Sequence, residues 1–342
     1  MSAAVFLTGG TGFLGRRLAL ALHARGRRLH VLARGTSDRS VLGELDVDWH
    51  LGDLTDAVAV THALDAARAK ESDRLLDIVH CGALISYRTR DRDRQRAINV
   101  EGTRNVVEAA KSGGVGRFLQ ISSVVAVGHS TDGEDLSEES AYNGEELGVD
   151  YVATKRAAEE LVLAATDVLD VVAVNPGAIF GAPSSDSNST LFLKRVCRGA
   201  LPYTPPGTWG VVGVKDVVEG CLLALERGRR GRRYLLTESN LTILELARLI
   251  ARLRGVAPPR GAIPAPIWRS LRAVLALVDR LHPLQRLTPQ SARMVSSHFR
   301  YDAARAREEL GWRPRGVEEM LREALIAVGE LERSTETHSA SS

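Results

Sequence analysis

From Ala4 to Pro176 short runs rich in β-branched and apolar residues alternate with stretches of helical spacing. The runs read "AVFLT", "RLHVLA", "VDWHLG", "LLDIVHC", "RFLQISS" and "DVVAVNP", and the first is followed by a helix predicted over Arg16–Arg25. Strands that alternate with helices are joined by crossovers, which makes them parallel, and a parallel sheet needs helices on both faces. Apolar spacing predicts two longer helices, over Ile98–Lys111 and Tyr151–Ala165. Past Pro176 the texture changes to "GAPSSDSNST", to Pro- and Gly-rich turns around Leu201–Gly207, and to a mostly helical end, which predicts a smaller second domain. There "TILE", Thr242 to Glu245, reads as a capping box opening a helix to about Arg254. The polar, aperiodic tail predicts disorder over residues 331–342.

A chain of 342 residues, 44% hydrophobic, can bury a substantial core. The formal charge of +3, from 45 basic and 42 acidic residues, gives no reason to expect nucleic acid as a partner. Cys81, Cys197 and Cys221 are widely spaced without a metal-ligand pattern, so we expect no metal site and reduced thiols in a cytoplasmic protein. The N-terminal apolar run lacks a basic segment before it and ends in glycines, which reads as a strand and not a signal peptide. No stretch approaches about twenty uninterrupted apolar residues, so stable membrane insertion is not expected.

The first strand runs into "TGGTGFLG", Thr8 to Gly15. Gly9 allows a tight turn, Gly12 lets backbone approach a ligand, and Gly15 lets the next helix pack on the sheet with its free N–H groups aimed at an anion. A dinucleotide pyrophosphate fits such a site, and an ordinary strand–turn–helix is the competing reading. The second strand ends "LARG", where an NAD site usually carries an acid for the ribose. Ala33 offers nothing there. Arg34 can pair with a 2′-phosphate, with Ser37 and Arg39 nearby, which favours NADP(H). Arg34 also reads as a solvated strand-end arginine, and Asp38 keeps NAD(H) as an alternative. Asp53 in "GDLTD" can accept from an adenine amino group or cap a helix, and Leu54 beside it is grouped with the cofactor residues.

In "DYVATKRAAEE" Tyr151 and Lys155 stand four apart, on one face of a predicted helix. A tyrosine near its ordinary pKa of about 10 is a poor proton donor and acceptor at neutral pH, and a nearby ammonium stabilises its phenolate. The spacing alone is common on surface helices. "FLQISSVVAVG" adds Ser122 and Ser123 at the end of a strand, at the sheet edge where open parallel sheets bind ligands.

With these in order come "HCGA", "INVEGTRNVVEAA", "VNPGAIFG" and, near the end, "FRYDAARAREELGWRPRGVEEML". The whole resembles the extended short-chain dehydrogenase/reductase family, in its NAD-dependent epimerase/dehydratase group, over nearly the full chain. The resemblance implies an α/β fold, a Rossmann-type doubly wound parallel sheet with a smaller, mostly helical C-terminal substrate domain. The cofactor domain would span 1–178 plus about 211–238, taking in the strand "RRYLL", and the substrate domain about 179–210 plus 239–330. It implies that Ser123 holds the substrate oxygen, Tyr151 is the acid/base, and Lys155 lowers its pKa and binds the nicotinamide ribose. Gly9, Gly12, Phe13, Leu14 and Gly15 would line the pyrophosphate turn, with Ala83 and Pro176 near the cofactor. A homodimer through the Ile98 and Tyr151 helices is also implied.

"VLARGTSDRS", "NPGAIFG" and "DVVEGCLLALERGRRGRRYLL" are similar to the dihydroflavonol-reductase-like and hopanoid-associated epimerase-like branch, with relatives among 3β-hydroxysteroid dehydrogenases. The "GDG…RDF" stretch common in nucleotide-sugar epimerases is replaced by "PPGTWGVVGVKDVVEG", with Lys215 where an acid is usual. Three activities fit: an NADP(H)-dependent ketone reductase or alcohol dehydrogenase, an epimerase or dehydratase with tightly bound NAD, and a non-catalytic dinucleotide-binding protein. A small molecule is the expected substrate. Within "GAIPAPIWRSLRAVLALVDRLHPLQRL", residues 261–287, Ile267, Leu271, Val274, Leu275, Val278 and Leu281 form an apolar stripe at helical spacing. It predicts either a helix packed on its own domain or a lid over an apolar pocket. The arginines of "RTRDRDRQR" read as a solvated helix start, the acidic run Asp132–Glu146 as a solvated loop, and His80 as a packing residue.

Overall fold

The computed structural model describes residues 4–71, 75–181, 188–281 and 287–331. Strands β1 (Ala4–Thr8), β2 (Leu29–Ala33), β3 (Val47–Leu51), β4 (Leu76–His80), β5 (Val115–Ile121) and β6 (Asp170–Pro176) arise from the six apolar runs. β1 and β2 are buried along their whole length, as strands covered on both faces must be. Later strands are β7 (Ala178–Phe180), β8 (Tyr203–Thr204), β9 (Thr208–Gly213), β10 (Arg233–Leu236), β11 (Ser239–Thr242), β12 (Gly261–Ala262) and β13 (His298–Phe299). One seven-stranded sheet runs β10-β6-β5-β4-β1-β2-β3, every pair parallel. The order reverses at β1 and β4, and the crevice that this leaves at their C-terminal ends is where doubly wound sheets bind ligands. Far along the chain, "RRYLL" supplies β10 at the edge beside β6.

Helices α1 (Phe13–Ala24), α2 (Ala57–Glu71), α3 (Arg92–Arg96), α4 (Gly102–Lys111), α5 (Asp150–Leu163), α6 (Asn188–Cys197) and α7 (Val214–Arg227) come before β10. After it come α8 (Ile243–Arg254), α9 (Ala265–Leu281), α10 (Pro289–Met294) and α11 (Val317–Ala327). One face of the main sheet is packed with Leu14, Leu18 and Leu22 of α1 and Val217, Cys221 and Leu225 of α7, joined by Tyr234 and Trp312. The other is packed with Val60 and Leu64 of α2, Val106 of α4 and Val162 of α5.

Four expectations change. α1 begins at Phe13, three residues before the predicted Arg16, because Gly12 already has the extended conformation of a helix cap. The helix predicted from Ile98 begins at Arg92, and Ala97–Glu101 forms a π-helical turn between α3 and α4, a wider winding that a 3.6-residue period does not register. The C-terminal part is mostly helical, as predicted, but it also takes part in a second, four-stranded sheet that the prediction lacked, in which β9 pairs with β7, β11 and β13. The acidic run is only partly solvated, because Glu138 is buried and accepts from the Leu235 N–H at 2.9 Å. The capping box at Thr242 and Glu245 opens α8 as expected, with both reciprocal bonds in place. Arg88, Arg90, Arg92, Arg94 and Arg96 are all exposed. The tail from 332 onward lies outside the described residues, as does most of "GAPSSDSNST".

Candidate active site

The glycine turn sits at the strand-order reversal. Gly9 has φ of +70°, and a Cβ on it would come within 2.7 Å of the Gly82 nitrogen at the end of β4. Its carbonyl accepts from the Gly12 N–H at 2.9 Å. A Cβ on Gly15 would lie 2.0 Å from that same carbonyl, so only glycine lets α1 start so close to β1. Phe13 and Leu14 open α1, and no side chain caps its first N–H groups. Those N–H groups and the positive end of the helix dipole suit a pyrophosphate. A backbone cradle that side chains would fill is what a dinucleotide requires, so these residues fit one.

Behind the turn lies a buried relay. The Gly82 N–H donates to the Thr8 hydroxyl at 3.1 Å, Thr8 pairs with His80 Nδ1 at 2.7 Å, and His80 Nε2 pairs with the Thr103 hydroxyl at 2.9 Å. Because the Thr103 hydroxyl donates to the Asn99 carbonyl at 2.6 Å, it receives from Nε2–H, which leaves Nδ1 to accept from Thr8. Burial, helped by the Lys155 charge, pushes the His80 pKa down to about 3 and keeps the ring neutral. His80 is thus structural, and it fixes the β4 end of the crevice.

At the end of β2, Ala33 is buried and Arg34 exposed. Arg39 lies over the Trp49 ring, 5.9 Å from its centroid. Asp38 Oδ1 is occupied by the Ser40 N–H at 3.0 Å and the Ser40 hydroxyl at 2.6 Å. Asp53 Oδ1 accepts from the Thr55 N–H and hydroxyl at 2.9 and 2.8 Å, while Asp56 caps α2. Leu54 lies against Gly82, where its Cδ1 would be 2.6 Å from an added Cβ, and its carbonyl accepts from Asn105. Ala83 is exposed just beyond β4, and Pro176 ends β6 in the interior.

Ser123, Tyr151 and Lys155 meet at the end of β5. Ser123 caps the short turn Val124–Ala126, its hydroxyl accepting from the Val125 N–H at 3.4 Å, and stands next to the Tyr151 phenol. Burial pushes the phenol up to about 12, with the neighbouring Ser123 hydroxyl pulling the other way. Lys155 Nζ donates to the Ile121 carbonyl at 2.8 Å, and burial pushes its pKa down to about 8 against the opposing pull of Cys81 and Glu159. Ser122, the neighbour in "ISS", is buried with its hydroxyl unpartnered, and Ser123 is the one that acts on the Tyr151 phenol.

Other residues hold this group and carry no role in the sequence reading. Asn99, in the π-turn, donates to the Leu84 carbonyl at 2.9 Å and to Thr154 at 3.1 Å, and accepts from the Leu84 N–H at 2.7 Å. It therefore ties the loop after β4 to α5. Tyr87 stands edge-on to Tyr151, ring centroids 5.9 Å apart, and its carbonyl accepts from Thr288 at 2.6 Å. Gln290 of α10 exchanges two hydrogen bonds with Asp150, the residue before Tyr151. "INVEG" was the available signal for Asn99; nothing local marks Tyr87, Thr288 or Gln290, which meet only in the fold.

A seven-stranded parallel sheet with this glycine turn at its reversal and a buried Ser–Tyr–Lys group beside it defines a class: enzymes of nicotinamide-dependent oxidoreduction on a Rossmann-type fold. The chain belongs to the NAD dependent epimerase/dehydratase family, whose model matches residues 5–236. It is 34% identical over 317 residues to "Sterol demethylase protein B" of Methylococcus capsulatus, covering 90% of this chain and 93% of that protein. It is 30% identical over 335 residues to a "Putative dihydroflavonol 4-reductase" of Synechocystis, covering 95% and 94%. The crystal structure of gox2253 superposes with a TM-score of 0.82 at 29% identity, covering 96% of this chain and 98% of that one.

Proposed function

We propose that the protein is an NADP(H)-preferring reductase, or in reverse a dehydrogenase, acting on a hydrophobic ketone or secondary alcohol. The observation that carries this reading is the grouping of Ser123, the buried Tyr151 and, one helical turn on, the buried Lys155 at the end of β5, beside the glycine turn. Gly9, Gly12, Phe13, Leu14 and Gly15 would hold the pyrophosphate, with Leu54, Ala83 and Pro176 along the crevice and Asp53 at the adenine. When bound, the nicotinamide supplies or accepts the hydride. A phenol near 12 is protonated at neutral pH, so Tyr151 is loaded to give its proton to a carbonyl oxygen that Ser123 holds. Lys155 is assigned to stabilise the phenolate left behind and to hold the ribose.

The preference for NADP(H) rests on Arg34, exposed where an acid would serve NAD, and on Asp38, turned to Ser40. The hydrophobic substrate is supported by the missing nucleotide-sugar stretch around Lys215 and by the names of the two relatives. Steady-state reduction of ketones of growing apolar size, with NADPH and NADH, tests the reading. Efficiency should rise about fourfold per buried methylene, from about 0.8 kcal/mol each. Arg34→Ala should narrow the gap between the two cofactors. Efficient turnover of UDP- or GDP-sugars by a protein carrying stoichiometric NAD, with no ketone reduced, would overturn it in favour of an epimerase.

A further inference from the structure

Of the stripe predicted for α9, Ile267, Leu271, Val274, Val278 and Leu281 are exposed and Leu275 is half-buried, so the stripe faces outward and the helix packs on its own domain by another side. Ile267, Val274, Leu277 and Leu281 are 60%, 56%, 61% and 70% exposed, and Leu271 and Val278 flank them. At 100° per residue these six fall within about a third of the helix circumference. Trp268 is on the opposite side, buried, with its indole N–H donating to the Ala292 carbonyl at 3.2 Å. The exposed face is therefore fixed by an anchor behind it.

The charge of this stretch of the sequence is one-sided. Between Val256 and Phe299 the chain has six arginines, Arg260, Arg269, Arg272, Arg280, Arg286 and Arg293, and one acid, Asp279. That is a local surplus of five positive charges in a chain whose whole surplus is three. Arg260 and Arg269 are exposed, and Arg272 is half-buried on the side of α9 away from the stripe. A helix with arginines on one side and an exposed apolar face on the other has the pattern of one that lies in a membrane interface and not across it. No helix among the described residues is long and apolar enough to cross a membrane.

We propose that α9 is a peripheral membrane-docking helix that seats the protein on an anionic bilayer surface. Its seventeen residues would lie about 26 Å along the plane of the bilayer, apolar side chains at the acyl boundary and arginines among the lipid phosphates. The position suits substrate entry. α9 is anchored on α10 through Trp268, α10 is bonded to Asp150 through Gln290, and Thr288, the cap of α10, holds Tyr87 against Tyr151. An apolar ketone dissolved in the bilayer would then reach the catalytic tyrosine without crossing water. This delivery rests on the reductase reading; the docking does not.

Flotation of the full chain with phosphatidylcholine vesicles, with and without one third phosphatidylglycerol, tests it. Docking predicts flotation with anionic vesicles, at least tenfold weaker association with neutral ones, and loss of binding in Val274→Glu/Leu277→Glu. Both positions are exposed, and thermal melting checks that the variant folds. Arg269→Glu, a milder change, should weaken anionic binding alone. Reduction of a small water-soluble ketone should be unchanged in these variants, which separates a failure of docking from a failure of the reductase reading. Absence of flotation, or flotation that the glutamates leave unchanged, refutes the proposal. So does light scattering that shows a dimer broken by the glutamates in a protein that binds no vesicles, because the face would then belong to a second copy.

Discussion

Lowering the pH from 8 to 5 should load the unfolded chain with a proton that the folded chain refuses at His80. In the unfolded state the imidazole titrates near its ordinary 6.5, and in the fold burial holds it down to about 3. Between those values the unfolded state binds the extra proton, so stability is present above 6.5 and falls as pH falls toward 3. At pH 5 the deficit spans about 1.5 units, which at 1.36 kcal/mol per unit is about 2 kcal/mol. That is a large part of the roughly 5–15 kcal/mol of a typical domain. The cause is geometric: Nδ1 accepts from Thr8 and Nε2–H donates to Thr103, so a second ring proton would force the Thr8 hydroxyl to give up the acceptor that its O–H now uses, inside a buried site. Urea unfolding of the parent and of His80→Gln at both pH values, followed by tryptophan fluorescence, measures the effect. Glutamine keeps a donor and an acceptor but does not titrate. The loss between pH 8 and 5 should be about 2 kcal/mol smaller in the variant, whatever its absolute stability. Equal losses in both proteins would refute the neutral, buried ring.

Two further outcomes concern the site itself. Tyr151→Phe removes one hydroxyl and should lower kcat at least a hundredfold with cofactor affinity largely kept, as read by turnover and by nicotinamide fluorescence titration; retention of most of kcat removes Tyr151 from the mechanism. Gly15→Ala places a Cβ 2.0 Å from the Gly9 carbonyl and should weaken cofactor binding at least tenfold, while Gly35→Ala, with no atom within 4 Å of the new carbon, should leave it unchanged; equal titrations for the two would refute the cradle.

How much of this was legible in the sequence depended on where each signal is stored. The six strands up to Pro176 were readable because a parallel strand buried on both faces is written as one apolar run. The four-stranded sheet was not: β13 is two residues long and meets β9 across about ninety positions, a pairing that no local pattern records. In the site, the glycines and the spacing of Tyr151 and Lys155 are local and could be read directly. Tyr87, Asn99, Thr288 and Gln290 act through contacts between distant segments, so their roles exist only in the fold. α9 marks a different boundary. Periodicity states how apolar residues are arranged round a helix and is silent about which side meets the protein. In α1 and α8 the apolar side faces inward, where Leu18, Leu22, Leu246 and Ile250 are buried. In α9 the inward side is the one with Trp268 and the half-buried Arg272, and the stripe is left in water. Each large aliphatic side chain so exposed forgoes up to about 1.5–3 kcal/mol of burial, four of them over about four turns, so a surface that covers α9 recovers free energy that folding alone does not.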